Sequence, residues 1–240
     1  MRHALPLLLA ATIAIPLSAA DAASCDRSAY YILLGQYDRA LKEMAAARPA
    51  GDSPAGRENL RGFALLMSGK ARESVEAFER ALELDSAFSA AAFNRGIALL
   101  KLGESKRAAE QFAGIAADES STYRAAAAYH RAVALDRLGL TAEAEQWLDR
   151  ALGFNAKYDA ATLYKGLLRE RRGDSQGAGR AYLDYIKAHP DSTIAHLRFG
   201  ITAMRAGRPE VARKYLERVT ALTPASAEAA EARQFLIMWE

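Results

Sequence analysis

The stretch AAFNRGIALLKLGESKRAAEQF, Ala91 to Phe112, reads as a helix, a glycine break and a second helix. Its landmarks Gly96, Gly103, Ala108 and Phe112 recur in near-register from about residue 28 to residue 224. A fixed period of this length marks a stacked-repeat architecture, and it outweighs any local signal. Break glycines stand at Gly35, Gly69, Gly103, Gly139, Gly173 and Gly207, spaced 34, 34, 36, 34 and 34 residues apart. Seven residues upstream of the last five, Gly62, Gly96, Ala132, Gly166 and Gly200 keep the same spacing. A third series runs Ala40, Ser74, Ala108, Ala144, Ala178 and Ala212. A fourth, four residues further on, runs Met44, Phe78, Phe112, Leu148, Tyr182 and Leu216. Four series in one phase specify one architecture.

Each series has a physical cause. The break glycine can adopt the left-handed conformation that ends a helix. The upstream glycine lies inside a helix, where it costs about 1 kcal/mol relative to alanine. It is expected where two helices cross closely and a side chain would overpack. The small residue of the second helix permits the same approach from the other side. The large apolar residue then fills the space between the helices. Pro190 and Pro224 stop second helices, whereas Pro209, close behind Gly207, suits the first turn of a new one. The 36-residue interval has room for its two extra residues in the polar turn from Asp118 to Thr122.

The segments FNRGIALLKLG and AFERALELD resemble the two helices of a tetratricopeptide repeat, and YHRAVALDRLG followed by AEQWLDRAL resembles them again. The resemblance covers about 200 residues. It implies an all-α fold, a right-handed α-α superhelix (TPR solenoid) of about six helix-turn-helix repeats plus a C-terminal capping helix. The array is expected over residues 23–224, with repeats near 21–54, 55–88, 89–124, 125–158, 159–192 and 193–226. The first is degenerate, because Ser28 replaces the packing glycine. The second, third and fourth repeats lack the usual terminal proline. In the segment 225–240, Phe235, Leu236 and Trp239 are expected to cover the apolar face that a last repeat leaves open. Docking of a partner is the other use of such an end.

Composition agrees with a globular chain of 240 residues, 51% hydrophobic and 25% charged. Alanine is abundant while Val, Ile and Thr are sparse, which favours helix over strand. The net charge of +3 spreads 32 basic residues among 29 acidic ones, and no basic run of nucleic-acid type occurs. Residues 1–22 fit an export signal: basic Met1-Arg2-His3, an apolar stretch from Ala4 to Leu17, and Ala20-Asp21-Ala22 as the cleavage site. That apolar stretch is too short for a spanning helix, which needs about 20 residues. An exported bacterial protein, periplasmic or secreted and without a transmembrane segment, is the expectation. Cys25 is the only cysteine, so it cannot form an internal disulfide. Its place behind the leader also fits a lipid anchor, but Ala22-Ala23-Ser24 lacks the large aliphatic residue such sites carry.

No catalytic, cofactor or metal site emerges. His130, His189 and His196 lie in separate helices or turns and form no ligand set, and no nucleophile-elbow or phosphate-loop motif occurs. Gly177-Ala178-Gly179 falls inside a second helix and not in a nucleotide loop. The pattern of interest lies on the first helices, where residues four apart share a face. That face runs Phe93-Ile97-Lys101, Tyr129-Val133-Arg137, Leu163-Leu167-Arg171 and Leu197-Ile201-Arg205, with Asn59-Phe63-Met67 before it and Asn94 beside it. By the resemblance, first helices line a concave groove that holds a partner peptide or helix. This face would then be an apolar floor with a basic rim, suited to a protein segment with apolar anchors and acidic groups. The competing reading packs the apolar pairs between helices and leaves the cations as helix-end charges. A second basic ladder, Arg61, Arg95, Arg131 and Lys165, is expected to form structural ion pairs. The function expected is a non-enzymatic interaction scaffold or adaptor. A holder of unfolded clients, or an accessory subunit of an envelope enzyme or of a secretion or pilus assembly complex, are the alternatives.

Overall fold

The computed structural model describes residues 27–46 and 53–238. The expected leader, Cys25 and Trp239 lie outside the described residues. Within them the chain folds into α-helices joined by short turns, without a strand. It divides into two compact units, one through Trp147 and one from Leu148 onward.

The first unit holds α1 (Arg27–Leu33), α2 (Tyr37–Ala46), α3 (Pro54–Met67), α4 (Ala71–Leu84), α5 (Ser89–Leu102), α6 (Ser105–Ala117) and α7 (Arg124–Arg137). Each packs on the next in chain order. The unit boundary falls within α8 (Thr141–Phe154). The second unit continues with α9 (Asp159–Arg171), α10 (Ser175–Ala188), α11 (Thr193–Arg205), α12 (Pro209–Leu222) and α13 (Ala227–Ile237). Again neighbours in sequence are neighbours in space, and α13 also touches α11.

All six break glycines have φ between 69° and 83°. At Gly103 the chain leaves α5 with paired bonds: Gly103 N–H donates to Leu100 O at 3.2 Å, and Glu104 N–H to Leu99 O at 2.9 Å. This double closure satisfies two of the carbonyls a helix end leaves open, and it needs a residue that tolerates positive φ. The period of the sequence is therefore a period of helix termination.

The upstream glycines are crowded as expected, and what crowds them is the large residue of the same repeat. A Cβ added to Gly62 would sit 2.6 Å from the ring of Phe78, and one on Gly96 would sit 2.6 Å from Phe112. On Gly166 it would meet Tyr182 at 2.6 Å, and on Gly200 it would meet Leu216 at 2.8 Å. Phe78, Phe112, Tyr182 and Leu216 are fully buried. Each of these repeats is thus a ring or branched chain pressed into a slot that glycine opens in the facing helix.

At the end of the chain, Phe235 and Leu236 pack partly buried against Leu197, Ile201, Leu216 and Val219. Ile237 and Met238, just beyond, are 70% and 76% exposed. Among the described residues no helix is long and apolar enough to cross a membrane.

Candidate functional site

The face singled out on the first helices divides by chemistry. Phe93 and Ile97 on α5 are fully buried, as are Tyr129 and Val133 on α7 to within 2%. Phe63 on α3, Leu163 on α9, and Leu197 and Ile201 on α11 are also buried, and Leu167 is half-buried. A first helix has neighbours on both sides, its own second helix and the helices of adjoining repeats, and their side chains consume this face. The ring of Phe93 stacks on Tyr123 with centroids 5.0 Å apart and meets Phe112 edge-on at 5.6 Å. Phe63 meets Tyr37 edge-on at 6.3 Å, and Leu197 and Ile201 lie beneath α13. Asn59 and Asn94, both buried, are joined: Asn94 Nδ2 donates to Asn59 Oδ1 at 3.2 Å. A buried amide pair of this kind fixes the relation between α3 and α5, because a shifted register would strand polar atoms.

The basic ends remain at the surface, where Lys101, Arg137, Arg171 and Arg205 are all exposed. Arg137 and Arg205 bind groups of their own chain. Arg137 Nη1 donates to the Leu100 carbonyl, one of those facing out at the end of α5, where a cation complements the helix dipole. Arg205 Nη1 donates to Glu170 Oε1 at 2.8 Å. Glu170 also accepts from the Tyr182 hydroxyl at 2.7 Å and lies 3.8 Å from Arg198. This carboxylate is nearly buried and gathers α9, α10 and α11 into one polar knot. Burial first, and then the Glu170 charge, raise the Tyr182 hydroxyl far above the ordinary phenol range, so it acts as a donor. The sequence pattern points to Arg205 but not to Glu170, whose acceptor role depends on a tyrosine twelve residues ahead.

In the second basic ladder Arg95 and Lys165 tie first helices to second helices, whereas Arg61 pairs within α3 itself. Arg61 pairs with Glu58 at 3.7 Å, Arg95 bonds Gln111 and lies 3.9 Å from Glu79, and Lys165 pairs with Asp149. Arg131 differs: its guanidinium lies 4.1 Å from the ring centre of Trp147, a cation over an aromatic face. The histidines are dispersed. His130 is fully buried, stacked on Phe112 with centroids 5.4 Å apart, and burial together with the Arg137 charge lowers its pKa to about 3. His189 pairs with Asp159 at 2.7 Å, and His196 Nδ1 lies 2.8 Å from the Ser192 carbonyl. Among the described residues no group of three or more His, Cys, Asp or Glu could hold a metal ion.

Helical hairpins of this period, closed by left-handed glycines and locked by one knob per repeat, coincide with a known family. Residues 60–124, 98–160 and 197–233 match one tetratricopeptide repeat profile, and residues 160–192 match another. The chain belongs to the tetratricopeptide repeat family. No curated protein matches it significantly. Solved structures share the fold at low identity. A tetratricopeptide repeat protein from Parabacteroides merdae is 21% identical, with a TM-score of 0.69 over 86% of this chain and 81% of that one. PilW, a type IV pilus biogenesis factor, is 17% identical, with a TM-score of 0.76 over 87% of this chain and 94% of its own. PilF of Pseudomonas aeruginosa is 17% identical, with a TM-score of 0.73 over 90% and 97%.

Proposed function

We propose that this tetratricopeptide repeat protein is a non-enzymatic interaction scaffold that holds a segment of another protein against the first helices of its repeats. The observation that carries the reading is the surface those helices keep: their apolar residues are buried between helices, and four of them end in an exposed cation, Lys101, Arg137, Arg171 or Arg205. Selectivity on that face is then electrostatic, and the partner segment is acidic. Lys101 is the cleanest probe, because Arg137 and Arg205 also bind their own chain. In affinity capture, a defined partner held by the wild-type chain and lost with Lys101→Glu supports the scaffold. Equal capture by the two refutes Lys101 as the contact, and broad capture of denatured proteins by both supports the client-holder reading instead.

The same proposal places the protein in the periplasm or envelope. The signal-like sequence of residues 1–22 supports this, and so does the fold shared with a pilus biogenesis factor. Service as an accessory subunit of a secretion or pilus assembly complex is the specific form of scaffold that likeness favours. Intact mass of the protein from the producing cell tests export, since cleavage after Ala22 leaves a chain beginning at Ala23. A full-length cytoplasmic product would overturn it.

A further inference from the structure

Three positions in the second unit depart from the pattern of the repeat. Gly179 in α10 stands where the other repeats carry Leu41, Val75, Ala109, Glu145 and Arg213. Phe199 in α11 takes the place held by the cations Arg61, Arg95, Arg131 and Lys165. Thr202 stands where Ala64, Ala98, Ala134 and Leu168 are buried.

The three meet. A Cβ on Gly179 would lie 3.5 Å from Phe199 Cε2, and Phe199 in turn packs edge-on against Tyr215 with centroids 4.5 Å apart. A hollow of about 690 Å³ lies between α10 and α11, lined among others by Gly179, Leu183, Phe199 and Thr202, with Arg180 and Arg208 beside it. Both arginines are exposed. Asp174, the carboxylate at the rim, accepts from Gly177 N–H at 2.8 Å and so caps α10. Thr202 is 2% exposed, and its hydroxyl is shielded from water without a hydrogen-bond partner. Polar atoms left so in a native structure call for a reason, since each costs about 1–3 kcal/mol.

We propose that this hollow is a second anchoring site, taking one apolar side chain of a partner protein segment together with a neighbouring carboxylate. The apolar group lies against Leu183 and Phe199, the carboxylate is gripped by Arg180 and Arg208, and the Thr202 hydroxyl, uncovered as the wall of the hollow parts on binding, bonds the backbone of the segment. The proposal takes its class of partner from the scaffold reading, but its place in the fold is separate from the first-helix cations.

The test is an NMR titration of the full chain with acetyl-Gly-Phe-Glu-Gly-amide. Saturable shifts at Gly179 and Thr202 are expected. The affinity should fall at least tenfold with Arg180→Gln plus Arg208→Gln, or with Gln in place of Glu in the peptide, as the loss of charge-assisted bonds requires. Gly179→Leu places a side chain in the part of the hollow beside Phe199 and should weaken the peptide at least tenfold while the chain stays folded by circular dichroism. Should that variant unfold, Thr202→Val carries the test: it keeps the shape, should melt no lower than wild type, and should bind more weakly. Shifts confined to Lys101 and Arg137 would overturn this site and leave the scaffold reading standing. Decanoate binding as tightly as the peptide, or Gly179→Leu changing self-association without affecting the peptide, would overturn a protein segment as the occupant.

Discussion

Adding one methyl group at Gly96 tests the knob-and-slot account directly. Alanine there places a Cβ 2.6 Å from Phe112 Cζ, 2.7 Å from Cε1 and 3.1 Å from Cε2. Relaxed carbon contacts begin at about 3.5 Å, so the two must part by roughly 1 Å. Phe112 has nowhere to go: it is fully buried, with its ring stacked on His130 and edge-on to Phe93. Overpacking of this kind costs about 1–3 kcal/mol, while alanine for glycine inside a helix returns about 1 kcal/mol. Gly114 supplies the control. It lies in α6, and nothing stands within 4 Å of the place its methyl group would occupy, so alanine there keeps the propensity gain alone. Urea unfolding followed by circular dichroism, with a second probe to establish a single transition, should place Gly114→Ala above wild type and Gly96→Ala about 1–3 kcal/mol below Gly114→Ala. Phe112→Leu in the Gly96→Ala background should cost less than in the wild type, because the smaller side chain vacates the overlap. If Gly96→Ala stabilises as much as Gly114→Ala, the slot is not tight and the account fails.

Three further predictions concern other features. His130 is held near pKa 3 when folded and returns to about 6.5 when unfolded, so the unfolded chain binds the extra proton and stability falls as pH drops below about 6.5. The loss by pH 5 should be roughly 2 kcal/mol, read from urea midpoints at pH 7.5 and 5, and His130→Phe should flatten that limb. Glu170→Gln removes the charge shared by Arg205 and the Tyr182 hydroxyl and should cost about 1–3 kcal/mol, with faster hydrogen exchange in α9 to α11; unchanged exchange there would count against the knot. Gly103→Ala forces a side chain into φ 83° and should cost about 1–2 kcal/mol in the same assay, whereas a neutral result would mean the α5 terminus can refold around it.

Much of the fold is legible in the sequence because its determinants are local. A helix that must stop about every 34 residues needs a left-handed residue at each stop, and six glycines in phase announce it. The pairing of Gly96 with Phe112 or Gly166 with Tyr182 spans sixteen residues, so one hairpin contains both partners. The candidate face is legible only as a face. Helical spacing states that Phe93, Ile97 and Lys101 point the same way, but burial of the first two depends on Tyr123, His130 and other residues of adjoining helices. Glu170 escapes notice for the same reason, since its partners come from two other helices. Gly179, Phe199 and Thr202 are visible departures once the series are aligned, yet nothing in their spacing states that they enclose a space.

The sequence by itself therefore determined the period, the helix ends and the knob of each repeat, because these rest on backbone conformation and on contacts within one hairpin. Only the tertiary structure decided which side chains stay exposed. A helix face is open or closed according to what packs on it, and those neighbours belong to other repeats. The apolar stripe of the first helices went into packing neighbouring helices together, and the cations at their ends stayed at the surface, Arg137 and Arg205 also bonding their own chain.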